Sequence, residues 1–192
     1  MHEVIWHGRG GQGVVLAAQI LAESAYLQGF GGVTSAPTFG PERRGAPLTA
    51  STRISDAPIR TVSQIEQADI AVVLDPTVMT IVDIFGRLKN GGMIIINTPH
   101  SADDLSIDGG RFTVATVDAS GIARKQRLMV AGAPVMNTPM LGAFARATGL
   151  VSLNCVEKGL KKKMPADRAA ANFSAVSAAF DVTVITPKHE RD

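Results

Sequence analysis

A chain of 192 residues with a single cysteine, Cys155, is long enough to bury its own core, yet too poor in thiols to build a disulfide framework, a thiolate zinc site or an iron–sulfur cluster by itself. Its formal charge of +2, scattered along the chain, excludes wholesale nucleic-acid binding, and no stretch reaches the roughly 18 apolar residues that a membrane span needs. Charged residues make up 19% against 45% hydrophobic, below the roughly 25% charged of typical soluble domains, so either a neutral polar exterior or, the reading favoured here, a large permanent interface takes the place of a charged surface.

The chain opens on Met1-His2-Glu3 and enters Val4-Ile5-Trp6 without a signal-peptide core, which predicts a cytoplasmic home. Val4 to His7 reads as a buried first strand, and the glycines from Gly8 to Gly13 turn it into a helix over Val14–Gln28 that Gly29 ends. Phe30 to Gly45, rich in glycine and carrying Pro37 and Pro41, predicts a loop around a short strand at Val33-Thr34-Ser35. Leu48 to Ile54 alternates apolar and polar residues, as an antiparallel or edge strand does. Asp69–Leu74 predicts a central parallel strand, Thr77–Leu88 an amphipathic helix stopped by Asn90-Gly91-Gly92, and Met93–Asn97 another buried strand. Phe112–Val117 adds a strand, and Asp118-Ala119-Ser120 caps a short helix over Gly121–Gln126. Helices follow over Thr138–Ala147 with Asn137 as cap and Gly149 as stop, over Val156–Lys163, and from Pro165 to Phe180, before Val182–Ile185 ends the chain as a strand or tail. The pattern predicts one α/β domain over residues 1–192: an open, mostly parallel Rossmann-like sheet with helices on both faces and an antiparallel edge strand.

Gly8-x-Gly10-x-x-Gly13 follows a strand and precedes a helix, the context in which glycines let backbone approach a pyrophosphate and the helix start attracts an anion. The acidic residue that a nicotinamide site places about 20 residues later on a second strand is missing between Phe30 and Thr38. Three readings stay open: a dinucleotide, another anion such as the phosphates of a coenzyme, or a tight turn that serves packing alone. Phe39-Gly40-Pro41-Glu42-Arg43-Arg44-Gly45 adds two guanidinium groups suited to carboxylates and phosphates, or else a solvated loop with Glu42 paired to an arginine.

Together with Arg53-Ile54-Ser55-Asp56-x-Pro58-Ile59, these two motifs make the chain resemble the gamma subunit of the 2-oxoacid:acceptor (ferredoxin) oxidoreductases. The likeness runs on through Ile70–Leu74, Gly91–Asn97 and Asn137-x-x-x-Leu141-Gly142-Ala143. The resemblance implies a multisubunit enzyme that oxidatively decarboxylates a 2-oxoacid on thiamine diphosphate with magnesium, passes electrons through iron–sulfur clusters, and hands the acyl group to coenzyme A. It implies alpha, beta and ferredoxin-like delta subunits as partners that own the cofactors, with this chain as scaffold and interface. No residue is assigned a catalytic or metal-binding role; Gly8, Arg9, Gly10, Gly11, Gln12, Gly13, Arg43 and Arg44 are the expected contribution to a coenzyme A site. Phe39 departs from the tyrosine often found at that position, and Arg43 adds a charge beside Arg44. A free-standing Rossmann-type nucleotide enzyme and an assembly module without ligand are the alternatives.

Other residues carry two readings each. Lys158, Lys161, Lys162 and Lys163 either attract coenzyme phosphates or complement a helix C-terminus, and Cys155 is a nucleophile or, as lone cysteines more often are, a small buried hydrophobe. His2, His7, His100 and His189 show no ligand spacing, and His7 suits a structural role as well as acid–base work. Asp75 and Asn97 end central strands, where they either line a crevice or cap and brace their surroundings.

Overall fold

Runs such as Ile70-Ala71-Val72-Val73 and Ile94-Ile95-Ile96 offer apolar side chains to both sides of an extended backbone, which only a strand covered on both faces can hide. The computed structural model describes residues 1–37, 44–61, 63–105, 107 and 110–188. Six strands come first in the chain: β1 (His2–Arg9), β2 (Gly32–Pro37), β3 (Pro47–Ser55), β4 (Ala68–Val73), β5 (Leu88–Asn97) and β6 (Thr113–Val117). A hairpin of β7 (Met129–Val130) and β8 (Ala133–Pro134) stands outside the main sheet, and β9 (Val184–Thr186) completes it in the order β2-β3-β1-β4-β5-β6-β9. The apolar runs fill the middle, where β1, β4, β5 and β6 pair in parallel. β3 is antiparallel to both β1 and β2, and β9 is antiparallel to β6 at the far edge. The expected open, mostly parallel α/β sheet is therefore present, with β3 placed inside it and β9 as the antiparallel edge strand.

The helices are α1 (Val14–Gln28), α2 (Ala119–Lys125), α3 (Asn137–Thr148), α4 (Leu153–Lys163) and α5 (Ala166–Val182). Their buried residues gather on one face of the sheet with Val4, Trp6, Val72, Leu74 and Ile95. The other face, carrying Ile5, Ala71, Val73, Ile94 and Ile96, is closed by Ile65, Val78, Ile84 and Phe112 from turns and connections. The expected helices on both faces thus give way, among the described residues, to α-helices on one face alone, because the segment after β4 forms turns and not a helix.

The helix expected over 77–88 is replaced by a 3₁₀ turn at Pro76–Thr80, and Leu88 already belongs to β5. Thr77, Val78, Thr80, Ile81, Val82 and Ile84 are β-branched and lose side-chain freedom in a helix. The Asp83 carboxylate also captures the Gly86 N–H at 2.8 Å, an alternative to helical pairing. Asn90-Gly91-Gly92, read as a helix stop, lies within β5 where its register against β4 shifts between Ala68 and Ile70, and Gly91 takes φ +78 there. The hairpin of β7 and β8 carried no legible alternation and was not expected.

Trp6 ties the layers together. It is fully buried, stacks on Phe144 of α3 with ring centroids 6.1 Å apart, and donates its indole N–H to Thr52 Oγ1 on β3 at 3.2 Å. The Thr52 hydroxyl passes its own proton to the Ala18 carbonyl of α1 at 3.2 Å. At the opposite ends of the strands, Glu3 pairs with Arg53 at 2.9 Å, and Lys89 bridges Glu3 at 3.5 Å and Asp69 at 2.8 Å, so β1, β3, β4 and β5 are joined by charge.

Thr52→Val keeps the shape but strands the buried indole N–H, at a cost of about 1–3 kcal/mol. Urea unfolding of the purified chain should show that loss as a lower midpoint with an unchanged slope.

Candidate functional site

β1 ends at Arg9, and the glycines that follow do not hang free. Gly10 forms a bridge with Arg44: its N–H donates to Ala46 O at 2.9 Å, and Gly45 N–H donates to Gly10 O at 3.0 Å. The glycine loop and the described end of the arginine loop thus meet. Gln12 folds back, accepting Arg9 N–H at 2.8 Å through Oε1 and donating Nε2–H to Asp75 Oδ2 at 2.8 Å. The Arg9 guanidinium lies 3.3 Å from Asp75 Oδ2 and donates to Thr77 Oγ1 at 3.1 and 2.7 Å and to Gly45 O at 3.0 Å.

Asp75 also accepts the N–H and hydroxyl of Thr77 at 3.0 and 2.6 Å, capping the 3₁₀ turn. Burial alone would raise its carboxyl pKa, but the hydrogen bonds from Thr77 and Gln12 and the charge of Arg9 outweigh it and hold the group below the usual value of 3.8. Arg9, Gln12, Asp75 and Thr77 therefore form a closed clasp that pins the glycine loop to the end of β4.

Past the clasp a groove of about 1020 Å³ opens between the glycine loop, the hairpin of β7 and β8, and the corner joining α4 to α5. The starts of α1, α3 and α5 line it, and none of the three has a side-chain cap, whereas Asp118 caps α2 and Ser152 caps α4. Arg44, Lys163 and Arg168 bring positive charge to the lining, and no Asp, Glu, His or Cys is among the described residues there. Helix starts and cations without an opposing carboxylate favour an anion. Val15, Leu16, Leu48, Val130, Val135 and Met164 add an apolar wall, so the groove suits a phosphate-bearing molecule with an apolar arm. Among the described residues its polar lining is made of Arg44, Lys163, Arg168, Gln12, Gln19, Asn137, Thr138 and Asn172, groups that donate hydrogen bonds to an anion.

Of the residues singled out in the sequence, Gly10, Gly11, Gln12, Gly13 and Arg44 line this groove. Arg9 is turned into the clasp, and Gly8 lies beneath α1, where a Cβ would stand 2.7 Å from Val14 Cγ2. Arg43, like Phe39, Glu42 and His189, lies outside the described residues. Lys163 reaches the groove, whereas Lys161 pairs with Glu157 and Lys162 with Glu23 at 3.2 Å. Cys155 is buried in α4, as a small hydrophobe would be. His7 is 1% exposed on the face away from α1, and burial first, then the charge of Arg87, lowers its pKa to about 4, so it stays neutral. Asn97 braces rather than lines, donating to Leu74 O at 2.8 Å and Ser120 Oγ at 2.9 Å. Among the described residues no three His, Cys, Asp or Glu side chains gather into a metal site. Arg168, Asn172 and Thr138 escaped notice in the sequence, because each sits in an unremarked helical turn that only tertiary packing brings to the groove.

The family described as pyruvate ferredoxin/flavodoxin oxidoreductase matches residues 3–182 of this chain. The pyruvate/ketoisovalerate oxidoreductases common subunit gamma of Thermococcus litoralis is 45% identical over 187 residues, covering 96% of this chain and 98% of the relative. The pyruvate synthase subunit PorC of Methanothermobacter thermautotrophicus is 44% identical over 186 residues, covering 94% and 95%. The crystal structure of the pyruvate oxidoreductase subunit PORC of Thermotoga maritima superposes with a TM-score of 0.82 at 33% identity, covering 96% of this chain and 98% of that one.

Gly13 takes φ +75, and a Cβ there would collide with the Asn137 amide, which donates to Gly13 O at 3.2 Å. Gly13→Ala should destabilise the chain by at least about 1–2 kcal/mol, read from thermal or urea unfolding. The clasp gives a pH signature. Because the folded Asp75 carboxyl titrates below 3.8, its contribution is complete above that pH and is lost as pH falls through the folded value. Asp75→Asn should therefore be less stable than the parent at pH 7, with the gap closing in strongly acid solution.

Proposed function

The chain belongs to the pyruvate ferredoxin/flavodoxin oxidoreductase family as the gamma subunit of a 2-oxoacid:ferredoxin oxidoreductase complex, and from that premise we propose that its groove holds coenzyme A while partner subunits carry out the redox chemistry. The observation that carries this reading is the groove itself: three uncapped helix starts and three cations facing an apolar wall, with no carboxylate among the described lining. Coenzyme A, with its phosphates at one end and its pantetheine arm at the other, matches that division of charge.

In the reaction proposed, a 2-oxoacid loses CO₂, two electrons pass to the acceptor, and the acyl group is taken by the coenzyme thiol. The residues present do not suit the other cofactors. With one cysteine in the chain and no metal-ligand cluster among the described residues, thiamine diphosphate with its magnesium and the iron–sulfur clusters are assigned to alpha, beta and ferredoxin-like delta subunits. Within that assembly, which we place in the cytoplasm, this chain acts as one gamma-type domain that binds, orients and packs. Exposed apolar side chains such as Ile81, Val182 and Val184 are suited to cover by neighbours.

The choice of 2-oxoacid is assigned to the partners, in keeping with the Thermococcus relative, whose description names one gamma subunit common to pyruvate and ketoisovalerate oxidoreductases. A free-standing nicotinamide enzyme is disfavoured because β2, Gly-Val-Thr-Ser-Ala-Pro, has no carboxylate to receive a ribose.

A tagged chain expressed in its native host should bring down larger subunits with broad iron–sulfur absorbance. That preparation should reduce a viologen dye with a 2-oxoacid only when coenzyme A is supplied. A lone species that recruits no partner, or dye reduction indifferent to coenzyme A, contradicts the reading.

A further inference from the structure

The groove contains two cationic stations of different build. At the first, Gly11 and Gly13 bare the start of α1, and the stem of Arg44 stands beside Gly11, its Cγ 3.8 Å from where a Cβ would be. Backbone N–H groups that a ligand can approach closely suit the oxygens of a diphosphate. At the second, Lys163 closes α4 and Arg168 lies in the first turn of α5. Both are exposed, and among the described residues neither has an ion pair, although Lys161 and Lys162 next to them do. Two unpaired cations on flexible stems suit a compact phosphomonoester with nearly two negative charges.

A hydrogen-bonded floor of neutral groups runs between the stations. Asn137 donates to Gly13 O at 3.2 Å, the Thr138 hydroxyl donates to Asn172 Oδ1 at 2.6 Å, and the Asn172 amide donates to Arg168 O at 2.8 Å. A ligand that satisfies both stations carries a diphosphate and, set apart from it, a second phosphate. We propose that Lys163 and Arg168 form a separate subsite for the 3′-phosphate of coenzyme A, making this chain the element that selects the phosphorylated coenzyme over its 3′-dephospho form. The proposal rests on the coenzyme reading above and adds to it a specificity-determining pair.

The test is calorimetric titration of the assembled complex with coenzyme A and, separately, with 3′-dephospho-coenzyme A. The parent should favour coenzyme A by about tenfold or more, the order expected for a charge-assisted contact. Lys163→Ala with Arg168→Ala should lose about that factor for coenzyme A and keep its affinity for the dephospho form within about twofold, while Arg44→Ala weakens both ligands. Both positions are exposed, so a thermal melt should show the double variant folded, and Arg168→Lys should restore part of the preference. Equal weakening of both ligands in the double variant, or a parent that binds the two alike, overturns the subsite and leaves the coenzyme reading standing. A parent that binds neither overturns both.

Discussion

Everything on the groove side of this molecule depends on how the end of β1 is held. Four glycines in the six residues from Gly8 to Gly13 would leave the turn into α1 with many conformations, and a helix start without a capping side chain has little to orient it. The clasp of Arg9, Gln12, Asp75 and Thr77 removes that freedom from one side, and the bridge between Gly10 and Arg44 removes it from the other. Asp75 does two tasks with two oxygens: one caps the 3₁₀ turn, and the other receives Gln12 and Arg9. Of the polar side chains expected to meet a ligand, Arg9 is used up in making the loop rigid and Gln12 is tied by its amide at the groove's edge, so the glycine backbone and Arg44 are what the loop offers there.

Much of the fold was legible because its signals are local. The apolar runs of β1, β4 and β5, the glycines that end α1 and α3, and the cap Asp118 all act over a few residues, whereas the Ser152 cap, which starts α4 at Leu153 and not at the expected Val156, was missed. Where reading failed, tertiary structure overruled a weak local preference. Residues 77–88 have helix-like apolar spacing, yet their β-branched side chains and the bond from Gly86 N–H to Asp83 favour turns that cover the sheet's second face. The candidate site was half legible. Glycine spacing marked one side of it, but Thr138, Arg168 and Asn172 come from two helices far along the chain, and no pattern of period 2 or 3.6 encodes their convergence.

The two faces of the sheet divide the labour. One carries the helices and, at their starts, the groove; the other is closed by turns and by the charged set of Glu3, Arg53, Asp69 and Lys89 at the far ends of the strands. That set lies partly out of water, and each acid in it has a cationic partner, so it aligns four strands without leaving a buried charge unpaired. A scaffold of this kind can stay rigid where it is braced and offer binding surface at its other end.

The hairpin of β7 and β8 is joined to its own base by the bond from Val135 N–H to Leu128 O at 2.9 Å and shares no ladder with the main sheet. Arg127 and Ala131 are held at φ 57 and 49, conformations that residues with a Cβ seldom adopt. Val130, the hairpin strands' share of the apolar wall, therefore takes its place from local backbone bonds and not from the ladder of the main sheet. A molecule in the groove and a subunit packed on the outer side of these two short strands would thus meet the same small element from opposite sides, so the hairpin is where contact with a neighbour and contact with a guest come closest to sharing residues.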